Sequence, residues 1–431
     1  MSQRSSSFLT IFALIFAGEA IFSLPFHITR FFRPAVLEVF EFSNTALGDA
    51  FAGYGLFAMA AYLLGGPIAD KYAPRALITL SLVLTGLGGL VMAQIPGERT
   101  MTLLYAYWGA TTLLLFWSPL IRATREWGGS LAQGQAFGLL DGGRGLVQAG
   151  SASFAVIVFS WLLPADVELA TAEQSREALQ SIIYLYTGLT LLAAAMVWFL
   201  LPTSDPKQID APSSILTNIK SVIAKPIVWA HAGIIVCAYC AYKGLDNYSL
   251  YCVEVLGMDQ VEAARFTANA AYLRLFGAVL VGLLADKMGA ARTIAATFIA
   301  LFVCYLYLWQ TQPETTGLLV LYANLLVTFF AAYAMRGIYY ALLEEVRTPA
   351  HLTGTTVGLI AVLGYTPDVF FYPIAGRILD SAPGIAGHQL YFGFLASIMA
   401  VGLLITLVLI WLNRHGDTGR TTLASRAAAN E

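Results

Sequence analysis

Long apolar runs follow one another from the first residues to about residue 412, each closed by a few polar, glycine or proline positions. Windows of about 20 apolar residues, the length that crosses a bilayer, fall at Phe8–Ile28, Ala46–Ala69, Ala76–Ile95, Met101–Ile121, Gln133–Leu163, Gln180–Leu201, Pro226–Val253, Glu262–Ala285, Thr293–Thr311, Thr316–Tyr340, Leu352–Leu379 and Gln389–Leu412. Lipid offers no partner to a backbone N–H or carbonyl, so such a run crosses it as a helix. The pattern predicts an all-α integral membrane protein with twelve transmembrane helices. The main break, Pro202 to Ser214 and on to Lys225, is polar and proline-rich, and it splits the windows six and six. The chain therefore reads as residues 1–202, a linker at 203–225, residues 226–412, and a polar tail at 413–431 expected to be disordered.

Composition agrees: 58% of residues are hydrophobic and 12% charged, too much apolar surface for a water-soluble core. The first window could be mistaken for a signal peptide, but it is long, carries Glu19 and is followed by no small-residue cleavage site, so it reads as a retained helix. Most lysines and arginines outside the windows lie on the side of the N-terminus, which places both termini in the cytoplasm. Arg30 and Arg33 are assigned to the opposite side. A net charge of −2 with no basic stripe gives no sign of nucleic-acid binding. Cys237, Cys240, Cys252 and Cys304 fall within or at the ends of apolar windows and suggest packing, with neither a disulfide framework nor a metal site. Neither a hydrolase nor a metalloprotease motif is present, nor a phosphate-binding loop, so the chain does not read as an enzyme or an ATP-driven pump, and no cofactor is expected.

A repeat refines this picture. Gly65-Gly-Pro-Ile-Ala-Asp70-Lys-Tyr-Ala-Pro-Arg75 returns half a chain later as Gly282-Leu-Leu-Ala-Asp286-Lys-Met-Gly-Ala-Ala-Arg292. Gly134-Gln-Ala-Phe-Gly138-Leu returns as Gly354-Thr-Thr-Val-Gly358-Leu. The first pair resembles the loop signature of the major facilitator superfamily, with Ala73 standing where that family usually has glycine. The resemblance implies two pseudo-symmetric six-helix bundles that rock about a central site, in a chain that is monomeric by default. It also implies a gating lock of Asp70 and Arg75 with Arg122 or Arg125, mirrored by Asp286 and Arg292 with Glu344 or Glu345 and Arg347. Glycines at 134, 138 and 142, and at 354 and 358, would let helices five and eleven approach closely. Arg336 to Glu345, Thr353-Gly-Thr and Gly364-Tyr-Thr-Pro-Asp368 are similar to a bacterial inner-membrane branch grouped with nitrate/nitrite or organic-anion porters. The second window contains no lysine or arginine, against that branch's usage, which disfavours nitrate itself.

Eight charged side chains fall four or more residues inside the ends of the windows: Glu19, Asp141, Arg144, Lys243, Asp246, Arg274, Arg336 and Asp368. Each costs about 2.5–3.5 kcal/mol at the bilayer centre on insertion scales, which argues for a polar path through the bundle. Asp141/Arg144 and Lys243/Asp246 are spaced to neutralise one another as i,i+3 pairs. Arg274 and Arg336 have no acid within a turn. Arg274, half-way along its window, is the leading anchor for a carboxylate, phosphate or sulfonate, and in the family's anion carriers the eighth helix also supplies such a base. Arg336 could bind substrate or form a gate with Glu344 and Glu345. Lys243, Arg144, Tyr239 and Tyr242 complete the expected substrate site. Glu19 and Asp368, with Asp141 and Asp246, are the candidate proton-coupling carboxyls, unless Glu19 pairs with a base from another helix. The reading is a proton-coupled secondary transporter of a small organic anion. The alternative is an exporter of neutral or cationic amphiphiles worked by the same four acids.

Overall fold

The structure, a computed structural model, describes residues 2–129, 133–203, 222–312, 316–342 and 353–428, and those residues form helices and turns without a strand. Twelve helical segments run in chain order. The first half holds α1 (Phe8–Phe31), α2 (Asn44–Lys71), α3 (Pro74–Met92), α4 (98–128), α5 (Gln133–Leu162) and α6 (Ala172–Leu200). The second holds α7 (Pro226–Glu254), α8 (Gln260–Met288), α9 (Ala290–Gln310), α10 (Leu318–Ile338), α11 (353–380) and α12 (Ile385–Ala428). Ten are long and apolar enough to cross a bilayer, and α2, bent by 56° after Tyr62, is an eleventh. The remaining segment, α4, is divided by a π turn at Leu113–Trp117 and carries Arg122, Arg125 and Glu126 in its last turns, which lowers its mean hydropathy.

Local sequence sets these boundaries. Ser43 caps α2 by accepting from the Ala46 N–H at 3.0 Å. Thr171 with Gln174, and Asp259 with Glu262, form capping boxes on α6 and α8. In α1, the π turn at Ser23–His27 surrounds Pro25, which has no N–H to give the preceding turn. The helix then resumes as Ile28–Phe31, so Arg30 is a buried helical residue, and Arg33 is buried at the start of a short helix, Arg33–Phe40. Both arginines, counted from sequence on or near the opposite side, are thus buried in helix. No turn-forming cluster separates Ile28 from Glu41, so nothing in the chain stops the helix at the apolar window's edge. The tail also departs from expectation, because α12 continues as helix to Ala428. The linker between the halves lies largely outside the described residues.

Helices α1, α5 and α6 pack together, α12 packs against both α7 and α9, and the halves meet along two seams, α2 against α11 and α5 against α8. The first seam depends on glycine. A Cβ on Gly55 would collide with the Asp368 backbone, and one on Gly376 with the Asn44 backbone. Gly138 has open space around it and Gly142 meets only an ordinary contact with Leu275. In this conformation the expected close approach is thus made by Gly55 and Gly376, because it is α2 and α11 that cross backbone to backbone. Bonds between the halves are dense at the end holding Asn44 and Asp380. There Asp380 accepts from the Asn44 N–H (3.2 Å), the Thr45 N–H (2.7 Å) and the Asn44 side-chain amide (3.1 Å). Arg377 forms a two-point pair with Asp49 at 2.8 and 3.1 Å.

Candidate functional site

Midway along the seams lies a partly enclosed cavity whose wall includes Glu19, His27, Arg30, Arg144, Tyr239, Tyr242, Lys243, Arg336 and Asp368. Charged groups in such a site persist only when paired, hydrogen-bonded or aimed at a passing solute. Among the described residues, all but one of the bases here are paired with carboxylates, in three clusters, and Arg30–Asp246, Arg274–Glu19 and Arg274–Asp141 join the two halves.

The first cluster is centred on Glu19 of α1. Its Oε1 lies 3.3 Å from Arg274 Nη1 and 3.2 Å from His27 Nε2. Its Oε2 lies 3.1 Å from Arg144 Nε, but that N–H donates to the Gly18 carbonyl at 2.9 Å, so Oε2 gains charge compensation without a hydrogen bond. Arg274 also donates to Gln148 Oε1 and Asp141 Oδ1, each at 3.0 Å. A single guanidinium from α8 thereby ties together α1 and α5, the geometry for which its planar fork of donors is suited.

In the second cluster, Arg30 Nε donates to Asp246 and Tyr372 donates to the other Asp246 oxygen, while Arg30 Nη1 donates to the Tyr242 hydroxyl at 3.0 Å. In the third, Lys243 Nζ pairs with Asp368 Oδ1 at 2.8 Å, and the Tyr239 hydroxyl donates to the same carboxylate at 3.1 Å. Lys243 also sits 4.0 Å from the centre of the Phe26 ring.

Arg336 of α10 differs from these. Its guanidinium lies 4.4 Å from the Tyr242 ring centre, the ring that Arg30 approaches at 4.5 Å, and among the described residues it has no carboxylate partner. Five bases thus meet four carboxylates, Glu19, Asp141, Asp246 and Asp368, each of which already has a base. Among the described residues, Arg336 is the base of the cavity wall without a carboxylate partner.

Several expectations change accordingly. The Lys243–Asp246 pair is not formed. A helical side chain points back toward the N-terminus, so Lys243 reaches toward Tyr239 and away from Asp246. In the order acid then base, Arg144 does reach back to Asp141, at 3.7 Å. Glu19 and Asp368 are not isolated carboxyls, since each has bases from other helices. Arg274 is not part of the cavity wall; it acts as a tie between halves. Asp70 is exposed and pairs with neither Arg122 nor Arg125. Arg122 instead donates to the Ala69 carbonyl at 2.7 Å, one of the open acceptors at the α2 C-terminus, and pairs with Glu126 one turn on. Arg75 stacks on Trp198 at 4.4 Å. Asp286, near the end of α8, and Arg292, near the start of α9, are both exposed, and Glu344, Glu345 and Arg347 lie outside the described residues.

Sequence reading missed Arg30, His27, Gln148 and Tyr372. Arg30 and His27 carried a usable signal, as polar residues in a stretch without a turn. A lone glutamine or tyrosine in an apolar helix carries none. Among the described residues, no group of three or more histidine, cysteine, aspartate or glutamate side chains could hold a metal ion.

Comparison with known proteins places this arrangement. The chain is 27% identical over 430 residues to the inner membrane protein YqcE of Escherichia coli (strain K12), covering 97% of this chain and 98% of the relative. A probable nitrate/nitrite antiporter, NarK1, of Thermus thermophilus is 30% identical over 243 residues, 55% of this chain and 52% of the relative. Among solved structures, the nucleoside transporter NupG (D323A mutant) superposes with a TM-score of 0.73 at 12% identity, covering 93% of this chain and 99% of that one, a likeness of fold alone. The sequence profile of the Major Facilitator Superfamily matches residues 7–370, and the chain belongs to that family of membrane transporters.

Proposed function

We propose that this transporter carries a small organic anion, of carboxylate, sulfonate or phosphate type, bound in the central cavity with Arg336 as its principal anchor. The observation that carries this reading is that Arg336 has no carboxylate partner among the described residues, in a wall where every acid already has a base. A guanidinium in a low-dielectric cavity binds such a group through two parallel, charge-assisted hydrogen bonds. Arg144 adds a second guanidinium to the wall from the other half, its Nε engaged by the Gly18 carbonyl. An anion held between the two would draw α5 and α10 together. Tyr242 backs Arg336 and orients it. The alternative, export of cationic amphiphiles, needs a carboxylate free to receive the cation, and all four are engaged.

Three further elements complete the proposal. Residues 1–202 and 226–412 are the rocking bundles, with both termini cytoplasmic by the distribution of lysine and arginine. On that orientation the end clamped by Asp380 and Arg377 is periplasmic, and the cavity faces inward. Asp368 is the coupling carboxyl, because a proton taken up there would release Lys243 as a second cation for substrate. The protein works as a monomer.

The reading is tested with purified protein by thermal stability against carboxylates, sulfonates, phosphates, sugars and lipophilic cations, for the parent and Arg336→Gln. Stabilisation by one anion class that is lost in the variant supports it, and uptake of that class into proteoliposomes completes the test. Stabilisation by cations or neutral amphiphiles that Arg336→Gln leaves unchanged refutes it.

A further inference from the structure

The cavity has a second pole, on α1. Gln148 Oε1 accepts from Arg274, and the Gln148 amide nitrogen stands 3.5 Å from His27 Nε2, where it makes no hydrogen bond once that nitrogen is protonated. The same His27 nitrogen faces Glu19 Oε1 at 3.2 Å. A carboxylate at that distance favours a proton on Nε2, and a neutral imidazole protonated there presents Nδ1 as a bare acceptor. His27 Nδ1 is buried and has no partner, and Glu19 Oε2 is likewise a buried acceptor without a hydrogen-bond donor. Glu19 and His27 are each 2% exposed, and both belong to the cavity wall.

Buried acceptors are ordinarily matched by donors. Two unmatched acceptors on α1, in residues that line a cavity whose base without an acid among the described residues is on α10, describe a ligand with two different ends. From this we infer that the substrate is a hydroxylated monoanion, its anionic group on Arg336 and a hydroxyl donating to Glu19 Oε2 or His27 Nδ1. The inference rests on the anion reading above and narrows it. One negative charge matches the single uncompensated base. An ammonium group would also supply donors, but it would have to sit against Arg144 and Arg274, which flank Glu19. A hydroxyl donates without adding charge. Simple inorganic anions and unsubstituted fatty acids leave the α1 acceptors unmatched and are expected to bind less tightly.

The test uses the full chain and matched pairs: glycolate against acetate, lactate against propionate, with gluconate, alanine and glucose alongside. Each is titrated for thermal stabilisation of the parent, Arg336→Gln and His27→Phe. The hydroxylated member of each pair is expected to act at about tenfold lower concentration, the equivalent of one or two net hydrogen bonds. Gluconate should stabilise, whereas alanine and glucose should not. His27→Phe keeps a ring between Phe31 and Tyr186 and should bring lactate to the concentration at which propionate acts, with propionate unmoved. Equal potency within the pairs, or a preference for alanine, overturns this inference while leaving the anion reading in place. Silence toward every anion, or an unchanged response in Arg336→Gln, overturns the anion reading itself. If His27→Phe fails to fold, the parent's response to the pairs decides the question alone.

Discussion

Replacing Asp380 with alanine removes the clamp that closes one end of the molecule. Asp380, at the end of α11, caps α2 from the other half, with Asn44 N–H, Thr45 N–H and the Asn44 amide all donating to it. Losing a capping carboxylate costs about 1 kcal/mol, its interaction with the helix dipole adds about 0.5 kcal/mol at an exposed site, and the side-chain amide bond adds a similar amount. Ser43 still caps Ala46, so α2 itself stays folded. The sum, about 2 kcal/mol, acts on the contact between halves and should shift the equilibrium at this end about thirtyfold toward separation. An open population of about 1% would become about a quarter. Spin labels at Arg99→Cys and Pro383→Cys, in a background lacking the four native cysteines, report the separation by pulsed electron resonance. Asp380→Ala should add a longer-distance population, and Asp380→Asn, which keeps an acceptor but loses the charge, should fall between. A distance distribution in Asp380→Ala that coincides with the parent's would refute the clamp.

Other perturbations separate structural from functional charges. Arg30→Gln leaves Asp246 buried beside Tyr372 without its base and should destabilise the protein by about 3–5 kcal/mol. A large fall in the thermal midpoint, partly restored by adding Asp246→Asn, is the expected result. Asp368→Asn should abolish the acceleration of uptake by an inward pH gradient while anion binding persists, so gradient-driven uptake at the parental rate would remove Asp368 from the coupling role. Gly376→Val forces side-chain atoms into the Asn44 backbone and should cost at least about 1–3 kcal/mol or prevent assembly. Gly138→Ala meets nothing within 4 Å and should leave the thermal midpoint of this conformation unchanged.

The chain by itself determined that this is a helical membrane protein, where most of its segments run, and that it is built from two repeats. Those conclusions need only the periodicity of apolar residues and the loop motif at Asp70 and Asp286, and backbone hydrogen bonding in lipid does the rest. It also marked which charges needed explaining, because a charge in an apolar window is costly wherever its partner lies. Which charges pair was beyond it. Arg30 and Asp246 are 216 positions apart, and Arg274 and Glu19 255. Their meeting depends on how one half docks on the other at the α2–α11 and α5–α8 seams, a matter of glycine placement and backbone approach that no local spacing encodes. The tertiary structure alone therefore turned Arg274, the stronger candidate from sequence, into a tie between halves. It left Arg336, the weaker one, as the base without an acid among the described residues, because pairing in a low-dielectric core is decided by which side chains face one another across the seam.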